Sequence, residues 1–299
     1  MKVFWWLAIF LLVATPCLGG ELVKVSWSPQ EVRQGAVLSI EVKTKAKVVS
    51  VAGDWAGTPR YFYEQKRGDF AGIAGVDLAS SPGPHLLRVE VEDRKGRSSE
   101  QVFELQVEAG GFEVQRLKLP PEMVDLQGEA LRRVLADNKR LMEIFNQVRP
   151  ERLWHLPFIK PVEGPITSPF GLRRVINGQD RSPHNGVDIG AALGTEVVAC
   201  NSGLVVFAQE LYLSGKTIII DHGFGLYSMY FHLSEMRVAE GDQVEIGRCI
   251  GLVGATGRVT GPHLHWGIRL LKARVDPSAL LRAVPAEKKE KGYEEREGL

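Results

Sequence analysis

The chain has 299 residues, of which 37 are Lys or Arg and 36 are Asp or Glu, so its formal net charge is only +1. This near-neutral balance gives no electrostatic argument for nucleic-acid binding, and we expect no nucleic-acid partner. The length suits two domains rather than one. Beyond the first 20 residues only Cys200 and Cys249 remain, in apolar strand contexts typical of buried free thiols, and their pairing is left open.

The first 20 residues have the pattern of a secretion signal. Lys2 precedes an apolar run at residues 3–14, and a small-residue exit follows at residues 15–20. The run is too short for a comfortable membrane span, and a proline before Cys17 is a poor context for lipid attachment. We therefore predict a signal peptide at residues 1–20, an exported protein and no membrane span in the mature chain. An uncleaved anchor is the alternative.

Residues 21–110 have the pattern of a small all-β domain. Strand-like runs, such as residues 22–27 and 85–91, alternate with turn clusters that contain glycine and proline. Short strands at this spacing predict a β-sandwich, and the Pro82-Gly83 turn and the hairpin at residues 93–96 resemble bacterial immunoglobulin-like modules. The domain carries no chemical motif, so we expect a spacer, positioning or gating element.

Residues 111–160 are predicted to be a linker that contains an amphipathic helix. Apolar residues recur there at steps of three and four, which is typical of one helix face. They are Leu131, Val134, Leu135, Leu141, Met142, Phe145 and Val148. Asn138 interrupts the stripe, and Arg149-Pro150 ends the helix. The stripe needs a partner, and an interdomain strut packed on the following domain is favoured over contact with another chain.

Residues 161–284 alternate strand-like runs with glycine turns, which predicts an antiparallel β-sheet domain. We expect the segment from Gly164 onward to fold alone, because its strand pattern and the candidate site residues described below are internal to it. Residues 285–299 carry charges of both signs and are predicted to be a disordered tail. The whole chain is therefore predicted to be mainly β.

His263 and His265 are the most informative residues. They lie two apart in a strand-compatible run, so both imidazoles lie on one face while Leu264 faces the opposite side. Upstream, His184 and Asp188 flank Gly186, in a context typical of a loop that enters a strand. The two pairs offer three imidazoles and one carboxylate. Neutral His and carboxylate ligands with one position left for water are typical of catalytic zinc, whereas structural zinc sites usually contain cysteine.

Five motifs, in order, resemble the LytM/lysostaphin-type zinc metallopeptidases, the M23 peptidase family. They are Ser168-Pro169-Phe170-Gly171-Leu172-Arg173, His184-x-x-x-Asp188, Tyr230-Phe231-His232-Leu233, Gly254-Ala255-Thr256-Gly257 and Gly261-Pro262-His263-Leu264-His265. Each motif alone is weak, but their order within one segment is specific. The resemblance covers the chain from about Gly164 to Pro277.

The resemblance implies one Zn²⁺ per chain, held by His184, Asp188 and His265. It implies His232 and His263 as catalytic imidazoles outside the metal shell, with their division into base and oxyanion stabiliser left open. The implied activity is a zinc endopeptidase that cuts peptide cross-bridges of bacterial peptidoglycan through a zinc-activated water. The implied partners are peptidoglycan peptide stems and a possible regulatory cell-envelope protein, and the implied location is the periplasm or cell envelope.

Two other functions are alternatives to the zinc endopeptidase. Proteins with this domain that have lost zinc ligands bind and activate cell-wall amidases, but every ligand is present here. A bacteriocin-like enzyme that attacks other cells tends to carry a C-terminal wall-targeting module, and no such module is recognised here. The remaining histidines, His85, His155 and His222, are interpreted as structural, with His222 capping a turn.

Overall fold

The computed structural model describes residues 23–44, 48–118 and 126–283. The predicted signal peptide and the charged tail lie outside these ranges. The described chain is mainly β, which confirms the predicted fold class. Among the described residues, no helix has the length and apolar character that crossing a membrane requires.

Eight strands form the N-terminal domain. They are β1 (Val23–Ser28), β2 (Val32–Arg33), β3 (Val37–Thr44), β4 (Val48–Trp55), β5 (Thr58–Lys66), β6 (Asp69–Gly75), β7 (Gly83–Asp93) and β8 (Ser98–Glu108). Their order is β1-β3-β6-β5-β4-β7-β8-β2, and β5 pairs with both β4 and β6. Buried residues alternate with exposed ones along β7 at Leu87, Val89 and Val91, as a strand with one face on the core requires. The immunoglobulin-like assignment of this domain stays a prediction.

The remaining elements follow in chain order. They are β9 (Val114–Leu117), α1 (Gly128–Phe145), β10 (Ile166–Ser168), β11 (Arg173–Ile176), β12 (Gln179–Asp180), β13 (Gly186–Ile189), β14 (Glu196–Val198), β15 (Gly203–Leu211), β16 (Gly215–Asp221), β17 (Leu226–Leu233), β18 (Glu235–Met236), β19 (Gln243–Val244), β20 (Cys249–Leu252), β21 (Leu264–Leu270), β22 (Ala273–Val275) and α2 (Pro277–Ala283). The main sheet has the order β10-β13-β21-β17-β16-β15-β19 and is antiparallel, as predicted.

Parts of the predicted linker pack against the C-terminal sheet. Phe145 is buried in a cluster with Phe207 and Tyr227, so this end of α1 packs on the C-terminal domain. The helix ends at Phe145, before the predicted end at Arg149-Pro150, and Leu131, Leu135 and Met142 of the predicted stripe are exposed. β9 pairs in parallel with β11. Trp154 and Phe158 are buried in a cluster that joins the core of the C-terminal sheet to Val37, Ile73 and Leu78 of the N-terminal domain. Side chains upstream of residue 160 are therefore buried against the C-terminal sheet, and the domain boundary at that position stays a prediction.

A fragment that begins at Gly164 is now expected to be unstable, contrary to the sequence-based expectation. It lacks Trp154 and Phe158, and removing a large aromatic from a core costs about 3–5 kcal/mol, against a typical total stability of about 5–15 kcal/mol. A fragment that begins at Leu126 keeps these residues and α1. Size-exclusion chromatography and thermal melts of both fragments check this. Cooperative melting of the Gly164 fragment would show that the upstream aromatics are dispensable.

The two domains contact each other directly. Asp77 accepts hydrogen bonds from Arg274 Nε at 3.0 Å and Nη2 at 2.6 Å, and the backbone N–H of Leu78 donates to Arg274 O. Gly35 has a φ of 84° and lies against the Phe170 ring, where a Cβ would clash. The N-terminal domain therefore supports the segment that precedes His184.

The two cysteines of the described chain are unpaired. Cys200 is fully buried, and burial raises the pKa of its thiol to about 11. Cys249 is partly exposed and lies 3.4 Å from Arg237 Nη1. Cys200 therefore has the burial that the sequence pattern indicates, whereas Cys249 is only partly buried.

Candidate metal centre

The main sheet brings Asp188 and His265 together on one face. Asp188 on β13 lies opposite His265 on β21, and His265 lies opposite Phe231 on β17. Directly paired residues of antiparallel strands project to the same side, so these side chains form a row across three strands. The Phe231 ring stacks on the His265 ring with centroids 5.0 Å apart. The Phe231 ring therefore forms an apolar surface beside the side chains of His265 and Asp188.

His184 completes the group from the loop that enters β13. Its backbone N–H donates to Leu172 O, and its carbonyl accepts from Gly171 N. Its Nδ1 lies 2.9 Å from Pro169 O. Because a carbonyl only accepts, Nδ1 carries a proton, and in the neutral form of the ring Nε2 is the unprotonated nitrogen. The loop therefore aims a lone pair of His184 at Asp188 and His265.

Three ligand atoms form a nearly equilateral triangle. His184 Nε2 lies 3.0 Å from Asp188 Oδ1 and 2.9 Å from His265 Nδ1, and His265 Nδ1 lies 2.9 Å from Asp188 Oδ1. Among the described residues, these three form a group able to hold a metal ion. The lone pair of His184 Nε2 faces a carboxylate oxygen, and two acceptors at this distance require a cation or a proton between them. The triangle edges are close to the separation of about 3.3 Å expected for ligands of tetrahedral zinc, so the residues fit a metal ion.

The protonation states of the triangle also suit a metal. Burial alone would raise the pKa of Asp188, but the contacts with His184 and His265 outweigh it and hold the pKa far below its usual range. The pKa of His265 is lowered, first because burial disfavours the imidazolium ion. Metal binding needs an ionised carboxylate and a neutral imidazole. Both conditions therefore hold at neutral pH.

His232 and His263 lie beside the triangle. Their ring centroids are 5.0 Å apart, and His263 Nε2 lies 3.8 Å from Asp188 Oδ1. Nδ1 of His263 donates to Gly261 O and Nδ1 of His232 donates to Thr256 O, both at 2.9 Å. In the neutral form of each ring, the proton therefore lies on Nδ1 and Nε2 is the unprotonated nitrogen. Burial lowers the pKa of His232 to about 4, so this ring is neutral at neutral pH.

The structure brings together all five residues that the sequence motifs indicate. What the sequence did not reveal is the set of backbone acceptors, namely the carbonyls of Pro169, Thr256 and Gly261, which orient the imidazoles. A backbone carbonyl is common to every residue type, so no sequence signal could have identified them. Thr256 lies inside a recognised motif, yet its contacts with His232 depend on the fold.

The sequence-based interpretation of His222 as the cap of a turn was wrong. Asp221 caps this turn by accepting from Gly223 N at 2.8 Å. His222 is fully buried, with Nδ1 2.7 Å from Ser202 O and Nε2 2.7 Å from Ser228 Oγ. Burial lowers its pKa to about 4. It is therefore a structural histidine of the core.

We expect His222 to make the fold acid-sensitive. The unfolded chain binds a proton at this residue below about pH 6.5, whereas the folded chain does so only near pH 4. Stability is therefore lost as pH falls through that window, by about 3 kcal/mol for a shift of this size. Urea unfolding of metal-free protein at about pH 7 and pH 4.5 measures the loss. A smaller loss is expected in His222→Gln, and an equal loss in both proteins would contradict this assignment.

The comparisons with known proteins agree with this geometry. Residues 182–277 match peptidase family M23. A crystal structure from Pseudomonas aeruginosa assigned to peptidase M23 superposes with a TM-score of 0.65 and 30% identity, covering 85% of this chain and 96% of that one. Peptidoglycan DD-endopeptidase ShyA of Vibrio cholerae is 42% identical over 102 residues, which are 34% of this chain and 24% of that protein.

A second curated relative matches the same part of the chain. DD-carboxypeptidase/endopeptidase Mpg of Neisseria meningitidis is 38% identical over 120 residues, which are 40% of this chain and 28% of that protein. The chain thus spans only about a quarter of the length of these two relatives. The Pseudomonas aeruginosa structure, by contrast, is matched over nearly its whole length. On that full-length match, together with the match of residues 182–277, the chain belongs to peptidase family M23.

Proposed function

We propose that this protein is an exported zinc endopeptidase that hydrolyses peptide cross-bridges of bacterial peptidoglycan. The observation that carries the proposal is the triangle of His184, Asp188 and His265, whose ligand atoms lie 2.9–3.0 Å apart. The names of the relatives support the substrate, since ShyA and Mpg are both called endopeptidases, and ShyA a peptidoglycan DD-endopeptidase.

Zinc is the metal that this donor set suits best. The three residues supply two imidazole nitrogens and one carboxylate oxygen, and both described cysteines are engaged elsewhere in the fold. Three such ligands with one open position are typical of catalytic zinc sites. Zinc bound there would polarise the scissile carbonyl and lower the pKa of a bound water to about 7.

His232 and His263 would carry out the proton transfers. Because Nδ1 of each ring donates to a backbone carbonyl, Nε2 is the nitrogen that exchanges protons with the reactants. Amide hydrolysis needs a group that takes the proton of the attacking water, and a group that stabilises the oxyanion or protonates the leaving amine. Two adjacent imidazoles can divide these tasks between them. His263 lies 3.8 Å from Asp188 and so reaches the space next to the metal.

The site favours peptide over glycan hydrolysis. Asp188 is the one carboxylate in the described metal group, whereas glycosidases usually place two carboxylates across the sugar bond. Asp188 is also held between two imidazoles, so it is not available as an acid catalyst. The peptide stems of peptidoglycan are therefore the proposed substrate.

The proposed location is the periplasm or cell envelope, where peptidoglycan lies, and it rests on the predicted signal at residues 1–20. A regulatory envelope protein is a further proposed partner. The alternative function, activation of cell-wall amidases without catalysis, is less favoured because the described site has its complete set of three ligands. An activator would not need the ligand atoms within 3.0 Å of one another.

Digestion of purified sacculi tests the function. The zinc-loaded protein is expected to convert cross-linked muropeptide dimers to monomers with no new reducing sugar ends, and a chelator should stop the reaction. Mass spectrometry of the released muropeptides and a reducing-end assay measure both. Release of reducing ends would reject the peptide assignment. Intact dimers, combined with faster stem release by an added amidase, would instead support the activator function.

A further inference from the structure

His232 lies at an irregular point of the main sheet. The register between β16 and β17 shifts between Lys216 and Ile218, so Phe231 and His232 together face Thr217. His232 has a φ of 65°, a left-handed conformation that costs a non-glycine residue about 1–2 kcal/mol. Such a bulge re-aims a side chain and persists only where its surroundings hold it. The contacts that hold His232 therefore decide where its imidazole points.

Thr256 makes three hydrogen bonds at this bulge. Its Oγ1 accepts from Lys216 N at 2.9 Å and donates to Leu233 O at 2.8 Å. Lys216 and Leu233 are the paired residues at the edge of the bulge, so the hydroxyl bridges the two strands there. The backbone carbonyl of Thr256 accepts from His232 Nδ1 at 2.9 Å. One residue thus ties the bulge together and orients the imidazole.

The tip of the β15–β16 hairpin adds a fourth contact. His232 N donates to Ser214 O at 2.9 Å. The next residue, Gly215, has a φ of 62° and lies against Thr256, and Gly257 has a φ of 78° and lies against Gly215. A Cβ at either glycine would clash with the facing backbone. The two loops therefore meet backbone to backbone, which brings both acceptors of His232 within reach.

We propose that Thr256 is a positioning residue for His232. Its hydroxyl closes the bulge between β16 and β17, and its carbonyl keeps the imidazole proton on Nδ1, which leaves Nε2 to exchange protons with the substrate. The described hydrogen bonds of Thr256 go to His232, Leu233 and Lys216 and to none of the three metal ligands. The role in turnover rests on the proposed function. The role in orienting the ring does not.

Three variants of the full chain test the role in turnover. Thr256→Val keeps the shape but removes both hydroxyl hydrogen bonds, and Thr256→Ser restores them. Thr195→Val is the matched control, because within the described part of the chain the hydroxyl of the partly exposed Thr195 bonds only to Ala192 O. With a purified cross-linked muropeptide dimer, kcat of Thr256→Val should fall about 10- to 100-fold with KM within about twofold and zinc content unchanged. Thr256→Ser should recover to within about threefold. Wild-type kcat in Thr256→Val, no recovery in Thr256→Ser, or zinc loss that parallels kcat would overturn the proposal.

A second measurement needs neither turnover nor a stable valine variant. Long-range ¹H–¹⁵N spectra of the zinc-loaded wild type, with His232 assigned by its loss in His232→Gln, should show the tautomer with the proton on Nδ1. Thr256→Val, if folded, should show a mixture of both tautomers. The proton on Nε2 in the wild type would overturn the proposal. If the wild type cuts no muropeptide, the proposed function fails, and this tautomer still decides whether Thr256 orients the ring.

Discussion

Replacement of Asp188 by Asn is expected to remove zinc binding and hydrolysis together. Asn has the size of Asp but no charge, so the two facing imidazoles lose the carboxylate that lies 2.9–3.0 Å from both. Loss of a group that only supports a ligand weakens metal binding about 10- to 100-fold, and loss of the ligand itself should exceed this. Zinc content after dialysis and dimer cleavage on the same preparation measure the two effects.

The matched control for Asp188→Asn is Asp54→Asn in the N-terminal domain. Asp54 Oδ1 accepts from Gly57 N in a turn, and the amide oxygen of Asn can accept in the same way. This variant should keep full zinc content and activity. Undiminished cleavage by Asp188→Asn would refute the metal-dependent endopeptidase.

Replacement of His232 or His263 by Ala is expected to separate turnover from metal binding. Neither ring belongs to the triangle, so zinc content should stay at the wild-type level. Loss of a group that transfers a proton in the transition state costs about 10²- to 10⁴-fold in kcat. Steady-state kinetics on a purified dimer, with zinc measured on each sample, checks both expectations.

The control for these variants is His85→Ala. His85 stacks on Trp55 in the N-terminal domain and hydrogen-bonds to Ser81 O, so its loss should leave kcat unchanged. Zinc loss in His263→Ala equal to that in Asp188→Asn would show that His263 is a ligand. In that case the division between ligands and proton carriers would have to be redrawn.

Local patterns of the sequence predicted much of the site and of the fold. Period-two alternation indicated β7, and steps of three and four residues indicated α1, because these periods follow from backbone geometry alone. The spacing of His184 and Asp188 around Gly186 indicated a loop that enters a strand, and β13 begins there at Gly186. These predictions hold because each depends on residues that are close together in the chain.

The exposed part of α1 shows that periodicity does not predict how much of a helix face is buried. The stripe predicted one packed face, and Phe145 is buried, but Leu131, Leu135 and Met142 are 41%, 58% and 48% exposed. Periodicity defines which residues share a helix face, whereas tertiary contacts, here those of Phe145 with Phe207 and Tyr227, decide how much of that face is covered. The burial of Trp154 shows the same limit, since it depends on a cluster whose members, such as Val37 and Trp266, lie far away in the chain.

The sequence by itself indicated which residues lie together at the candidate site, because residue types and their order pointed to the three proposed ligands and the two further histidines. The tertiary structure alone decided the rest. His184 and His265 are 81 residues apart and meet only because β13 pairs with β21. Which ring nitrogen carries the proton, and that His222 is a core residue, depend on backbone carbonyls and packing contacts that form only when distant segments come together. Local periodicity contains no information about those contacts.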